Sequence, residues 1–215
     1  MENYCKYIHK LFCGVKRFTF PFCKNKIPKN GIYVLFENGE IAHSVDRIVR
    51  IGTHTGQNQL YSRLNQHFLV ENKDRSIFRK NIGRAILNKN NDDFIKYWEL
   101  DLTTRHSKEK YLGKIDNKKQ NEIEKDVTNY IQNNFSFIVF EVDDKDRRLT
   151  IESKIISTVS LCSECKQTQQ WLGNYSTKRK IIESGLWLVN ELWKEPLNNE
   201  DINILEDIVK KGKFV

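Results

Sequence analysis

Residues 31–52, GIYVLFENGEIAHSVDRIVRIG, decide the fold class. Residues 31–37 (GIYVLFE) are dense in β-branched and aromatic side chains, which pack well on a pleated sheet. Asn38 and Gly39 carry a turn signal, because both residue types tolerate turn geometry. Residues 47–51 (RIVRI) read as a second short strand, close enough to the first to form an antiparallel pair across a longish loop.

Working outward, residues 1–28 hold Leu11, Phe12, Phe18, Phe20 and Phe22, end at Pro28, and read as a docking arm. Downstream, a Gly/Thr loop at 52–56 leads into a helix over about 58–70, with Leu60, Leu64 and Phe68 repeating at spacing four. A further helix is expected over 76–87. Its Ile77, Ile82, Ala85 and Ile86 would face inward, and Arg75, Arg79, Lys80 and Arg84 would crowd the outer side. Residues 88–120 are rich in Asn, Asp and Lys and read as a peripheral insertion, although 94–102 could form a strand. A helix over 122–132 precedes FSFIVFEV (135–142), a strongly buried strand closed by Asp143 and Asp144. Another helix follows over 147–161. The tail holds an aromatic segment, 186–193, and an amphipathic helix over 199–211 that stops at Gly212. This order predicts an α+β domain over 29–195, a small mixed, mainly antiparallel sheet flanked by helices, with 196–215 as a helical extension.

Composition narrows the function classes. The chain has 215 residues, 39% hydrophobic and 30% charged, enough for one cored domain with an insertion. No apolar run approaches the ~18 residues of a membrane span, and the first ten residues lack an apolar signal region. The expectation is a cytoplasmic protein. A net charge of +8 favours a polyanionic partner, although charge alone does not name one. Five cysteines, an odd number, argue against a disulfide framework. Cys162 and Cys165 form a C-x-x-C without a second such pair. A zinc site would have to recruit Cys13 and Cys23 from far away, so reduced thiols are the favoured reading.

Three features carry candidate chemistry. Glu152 shares a helical face with Ile155, Ile156 and Val159, and a carboxylate on a core stripe needs a partner. That partner is either a nearby Lys or Arg, or a metal. Arg63 and His67, four apart, lie on one helix flank, where two cationic groups invite an anion such as phosphate; two solvated side chains would satisfy the spacing equally. Arg75, Arg79, Lys80 and Arg84 suit backbone phosphates or a solvated helix face. Tyr33 lies in a strand, where tyrosine is more often core than catalytic.

Taken with their order along the chain, these residues resemble the GIY-YIG nucleases. Gly31-Ile32-Tyr33 matches the first half of that signature, and Arg50-Ile51-Gly52 stands where the second half belongs. Arg63-x-x-x-His67 follows on the next helix, Glu152 lies near the start of a late one, and Asn174 lies in WLGN (171–174). A bacterial branch of GIY-YIG-like proteins is similar through RIVRIGTHTG, RLNQHF, DRSIFRKNIGRAIL, the VDD-then-IE segment, and WLGNYS followed by SGLW. That covers most of residues 27–193.

The resemblance implies an endonuclease acting on DNA, double-stranded DNA being favoured, of restriction or repair type, and dependent on one Mg2+ or Mn2+. It implies Tyr33 as general base or water positioner, Arg63 on the scissile phosphate, Glu152 as metal ligand, His67 assisting, and Asn174 as a positioning group. A free phenol is a poor base at neutral pH, and a base role needs cations nearby. The resemblance supplies Arg50, Arg63 and the metal. The departure is Arg50, which replaces the second signature tyrosine. His54, in the following loop, is a candidate helper and substrate contact, or an exposed loop histidine. Cutting both strands with one such site requires two copies or two successive events, which leaves a homodimer open. The alternative is a nucleic-acid-binding protein that keeps the fold and has lost turnover through Arg50. An unrelated basic α+β domain is the remaining reading.

Overall fold

The computed structural model describes residues 4–212. Four antiparallel strands form one sheet in the order β1 (Phe18–Thr19), β4 (Phe135–Glu141), β2 (Gly31–Ala42), β3 (Val45–Gly52). Strand β2 is the spine, paired on one side with β3 and on the other with β4. Its side chains alternate, and both sets are buried. Ile32, Val34 and Phe36 face one core, and Tyr33 and Leu35 face the other. A strand covered on both faces has no polar side, which is why residues 31–37 read as an unbroken apolar run.

The first core holds helices α1 (Tyr4–Cys13), α7 (Lys145–Ser160) and α9 (Asn199–Gly212) against Ile32, Val34, Ile48, Ile138 and Phe140. The second holds α2 (Leu60–Phe68), α3 (Ile77–Lys89) and α6 (Asn117–Asn134), with α4 (Ile95–Trp98) inserted against α3. Short helices α5 (Arg105–Tyr111) and α8 (Arg179–Ser184) complete the set. The terminal segments, expected as an arm and an extension, thus contribute Ile8, Phe12, Leu205 and Val209 to the same interior.

Several local expectations are corrected. Asn38 and Gly39 do not reverse the chain. Gly39 is left-handed (φ 83°) within β2, at an irregularity in the β2–β3 pairing, and the strand continues to Ala42. The reversal is a tight turn at His43 and Ser44, both left-handed at φ 53° and 66°, the geometry that matches the twist of a two-residue hairpin. Residues 94–102 form the short helix α4, not a strand, and Phe94 and Trp98 are buried in the second core. The polar stretch therefore begins as an anchored part of the fold.

The largest correction concerns α3. Its Ser76 caps the helix by accepting the Arg79 N–H. Ile77, expected inward, is exposed, whereas Arg79, Lys80 and Arg84 are buried. Arg79 pairs with Glu124 of α6 at 2.7 Å, Lys80 with Asp74 at 3.2 Å, and Arg84 with Glu99 at 2.6 Å. These three cations are spent on internal carboxylates, and Arg75 alone of the set is exposed. Removing one partner of a buried pair strands the other charge. Arg79→Ala should therefore lower unfolding free energy by about 3–5 kcal/mol in urea titration, against about 0.5 kcal/mol or less for Arg75→Ala.

Candidate active site

Two glycines set the site, one on each strand. Gly31 begins β2 so close to β4 that a side chain there would collide with the Phe140 carbonyl. Gly52 faces Tyr33 across the β2–β3 ladder, and the Tyr33 ring lies directly over it; a methyl at Gly52 would overlap the phenol. That close approach directs Tyr33 Oη to His67 Nε2, 2.8 Å away on α2. Tyr33 is fully buried.

His67 is buried between the Tyr33 ring and the Phe78 ring. Its Nδ1 meets Ser76 Oγ at 2.8 Å, and Ser76 Oγ in turn accepts the Arg79 N–H at 3.3 Å. With that lone pair used, the Ser76 proton can go to Nδ1, which leaves Nε2–H facing the Tyr33 oxygen. Burial, then Arg50, Arg63 and Arg79, hold the His67 pKa well below the ordinary imidazole range. His67 is neutral, so the cationic pair expected with Arg63 is not formed.

Arg50 lies on the same side as Tyr33 by regular alternation, because it pairs with Leu35, two residues on from Tyr33, and the ladder breaks only after it. Leu35 pairs with Arg50 but Phe36 pairs with Ile48, so Val49 is an extra residue, and a bulge of this kind re-aims the strand's side chains. The buried guanidinium sits 5.1 Å from the Phe78 ring centre and donates to the Trp187 carbonyl. Its Nε has no hydrogen-bond partner among the described residues.

After Gly52 the chain lines a cleft of about 310 Å³ with Thr53, His54, Thr55, Gln59, Ser62, Arg63, Gln66, Leu149 and Glu152. Arg63, partly exposed, is held loosely by Gln66 Oε1 at 3.3 Å and the Arg75 carbonyl at 3.4 Å. Glu152 enters from α7, whose Ile151, Ile155, Ile156 and Val159 anchor it in the first core. Burial pushes its carboxyl up to about 7, while Arg50, the Thr53 N–H and Arg63 pull the other way. Arg50 and Arg63 thus act electrostatically on both Glu152 and His67; Arg63 and Glu152 share the cleft, and Arg50 and His67 both pack on the Phe78 ring. Tyr33 stands at Gly52 rather than in the cleft lining.

The remaining candidates are distributed differently. His54 lines the cleft, but both ring nitrogens are engaged. Nδ1 donates to the Gly56 carbonyl at 2.6 Å and Nε2 accepts the Gly31 N–H at 3.3 Å. Burial, together with Arg148, lowers its pKa. It is a fixed wall bracing the start of β2, not the exposed loop histidine. Asn174 donates to the Thr168 and Gln169 carbonyls and accepts from Gln167, stapling its own loop outside the cleft lining. Ser76 and Thr53, which hold His67 and Glu152, were not singled out from sequence. Ser76 could have been found as the cap preceding IFRK.

A larger cavity of about 360 Å³ lies by the distal part of β2, lined by residues such as Glu37, Asn38, Asp46 and Asn134, and holds none of these groups. A family model described as a GIY-YIG domain matches residues 6–214. No curated protein and no solved structure matches.

Two measurements probe this arrangement. Gly52→Ala should cost about 1–3 kcal/mol of stability, read by thermal denaturation, because the methyl must displace the Tyr33 ring. His67 titrates lower folded than unfolded, so the unfolded chain binds more protons between the two pKa values. Its contribution is intact above about pH 6.5 and is lost as pH falls below that. Unfolding free energy measured from pH 7.5 to 5 should fall more steeply for the native chain than for His67→Gln.

Proposed function

The chain belongs to the GIY-YIG family, a nuclease family, and from that premise we propose that it is a divalent-metal-dependent endonuclease hydrolysing phosphodiester bonds in double-stranded DNA, of restriction or repair type. The observation that carries the proposal is the shared cleft. Glu152 and Arg63 line it together, and Arg50 and Arg63 bias both Glu152 and the histidine that holds Tyr33.

The residues present fit a hard divalent ion. Glu152 forms no ion pair among the described residues and lines the cleft, with the Thr53 N–H favouring its charged form. Carboxylate oxygen, water and substrate phosphate are the donors that Mg2+ or Mn2+ takes. When bound at Glu152, one such ion would act as a Lewis acid on the phosphoryl oxygens.

Arg63 grips the scissile phosphate. Its present hydrogen bonds are long and to neutral acceptors, so a phosphate can replace them bidentately. As the phenolate, Tyr33 Oη takes the proton of the attacking water and becomes the phenol; as the phenol, it fixes that water in place. His67 does not take the proton, because burial and three arginines oppose a charged imidazole. It donates Nε2–H to the phenolic oxygen, with Ser76 holding the ring. Arg50 supplies fixed positive charge where the signature has its second tyrosine. The exposed Arg75, whose carbonyl Arg63 touches, extends the contact along the backbone. The net charge of +8 supports a polyanionic substrate, and no described helix is long and apolar enough to cross a membrane.

The full burial of Tyr33 and the presence of Arg50 favour a second reading, a DNA-binding protein without turnover. Conversion of supercoiled plasmid to open-circle and linear forms separates the two. Mg2+- or Mn2+-dependent cleavage is expected, stopped by EDTA. Glu152→Ala and Arg63→Ala should each slow it by about 10²–10³-fold, with Arg63→Lys no better than Ala. Tyr33→Phe, which keeps the ring over Gly52, should cost about 10²–10⁴-fold. Salt-sensitive binding with no cutting under several metals would establish the second reading. Full activity in Tyr33→Phe would make Tyr33 a core residue only.

A further inference from the structure

On the sheet face opposite Tyr33, four residues from three segments distant in sequence converge. Cys5 and His9 come from one side of α1, His43 from the tip of the β2–β3 hairpin, and Cys165 from the segment after α7. One ligand atom from each lies within 4.8 Å of the others. Cys5, His9 and Cys165 are at most 3% exposed, and the His43 side chain is 1% exposed. We propose that Cys5, His9, His43 and Cys165 form a structural Zn2+ site that ties α1 to the β2–β3 hairpin and to the end of α7.

Donor chemistry selects the ion. Two thiolates and two imidazoles in a compact shell suit tetrahedral zinc. Zn–S near 2.3 Å and Zn–N near 2.0–2.1 Å at tetrahedral angles set sulfur and nitrogen about 3.6 Å apart. His9 Nε2 lies 3.5 Å from Cys165 Sγ. The imidazoles are oriented as zinc-bound histidines usually are, each with the far nitrogen engaged. His9 Nδ1 donates to the Cys5 carbonyl at 2.8 Å, and His43 Nδ1 faces Glu164 Oε2 at 3.5 Å. Both present Nε2. The Ile48 N–H, 3.1 Å from His9 Nε2, competes for the same lone pair, and half-exposed Cys162, 3.6 Å from His43 Nε2, is the neighbouring thiol.

Backbone conformation supports the assignment. His43 is left-handed at φ 53°, a place where Asn or Gly is favoured, yet its imidazole is turned into the protein rather than out from the hairpin tip. A reason for histidine there is the ring nitrogen. With four protein ligands the shell is closed, so the ion is structural and separate from the cleft at Glu152. It fixes α7, which carries Glu152, relative to the hairpin whose strands carry Tyr33 and Arg50.

Cys13 and Cys23, which a zinc site was expected to need, are exposed, and the neighbours of the C-x-x-C include His43 and His9. Cys5 and His9 stand four apart on one helix, a spacing that could have marked them.

The full chain, purified without chelator and with any affinity tag removed, should contain one zinc per chain by plasma mass spectrometry. Release should require a mercurial thiol reagent, followed with a zinc-sensitive dye. Exchange for Co2+ should give the intense visible bands of tetrahedral cobalt with thiolate charge transfer. Cys165→Ser and His43→Ala should lose the metal and melt earlier, and Cys162→Ser should keep both. If the first two variants do not fold, the native chain's stoichiometry and cobalt spectrum decide. Substoichiometric zinc, octahedral cobalt bands, or a Cys5–Cys165 disulfide seen as a two-hydrogen mass deficit would overturn the site. Loss of zinc in Cys162→Ser with retention in His9→Ala would overturn His9 as the fourth ligand.

Discussion

The packing of the Tyr33 ring on bare Gly52 is the contact on which the rest of this structure depends. Cross-strand neighbours normally meet side chain to side chain. Here one partner has none, and a tyrosine fills the space. The phenol is thereby aimed along the sheet surface toward α2, where His67 meets it. Gly52 is also the last residue of β3, so the same point releases the chain into the Thr53–His54 loop. Thr53 Oγ1 donates to the Gly31 carbonyl and His54 Nε2 accepts the Gly31 N–H. Start of β2, end of β3 and floor of the cleft are thus one hydrogen-bonded unit.

Charge inside the molecule separates into two populations. Arg47 with Glu40, Arg79 with Glu124 and Arg84 with Glu99 are close pairs whose heads satisfy one another. Such pairs cost desolvation and stabilise mainly by fixing which elements meet. Arg50, Arg63 and Glu152 belong to the second population, without an ionic partner among the described residues. Arg50 finds a carbonyl, and Arg63 finds a carbonyl and an amide. Arg148, which donates to the Val142 and Asp143 carbonyls, and Glu37, which accepts from Tyr130, Trp171 and Trp187, are also buried without an ionic partner, so what sets Arg63 and Glu152 apart is that they line one cleft.

The sheet was legible in the sequence because β2, β3 and β4 carry dense β-forming runs, and the helices expected over about 58–70, 122–132 and 147–161 are found over 60–68, 117–134 and 145–160. The hairpin turn was not, because a left-handed His-Ser pair carries none of the usual glycine or asparagine signal. On α3, Ile82 and Ala85 are buried as expected, but Arg79, Lys80 and Arg84 were misplaced because periodicity assumes that charges seek water. Glu124, the partner of Arg79, lies 45 residues away on another helix, and no local pattern encodes it. For the same reason the order Tyr33, Arg63, His67, Glu152 was readable through a resemblance, whereas their convergence was a property of the folded chain.

Arg50 can be weighed in these terms. A tyrosine at this strand position would bring a second phenol toward the cleft. A guanidinium brings a permanent charge and no proton to exchange. Its field falls on a carboxyl that burial alone would drive toward the neutral form, and it works against that drive together with Arg63 and the Thr53 N–H. It also falls on His67, where it opposes protonation. Under the proposed reading both effects favour the states needed, an ionised Glu152 to hold the metal and a neutral His67 to donate to Tyr33. The replacement therefore removes a candidate proton acceptor and adds a fixed charge that acts on Glu152 and His67.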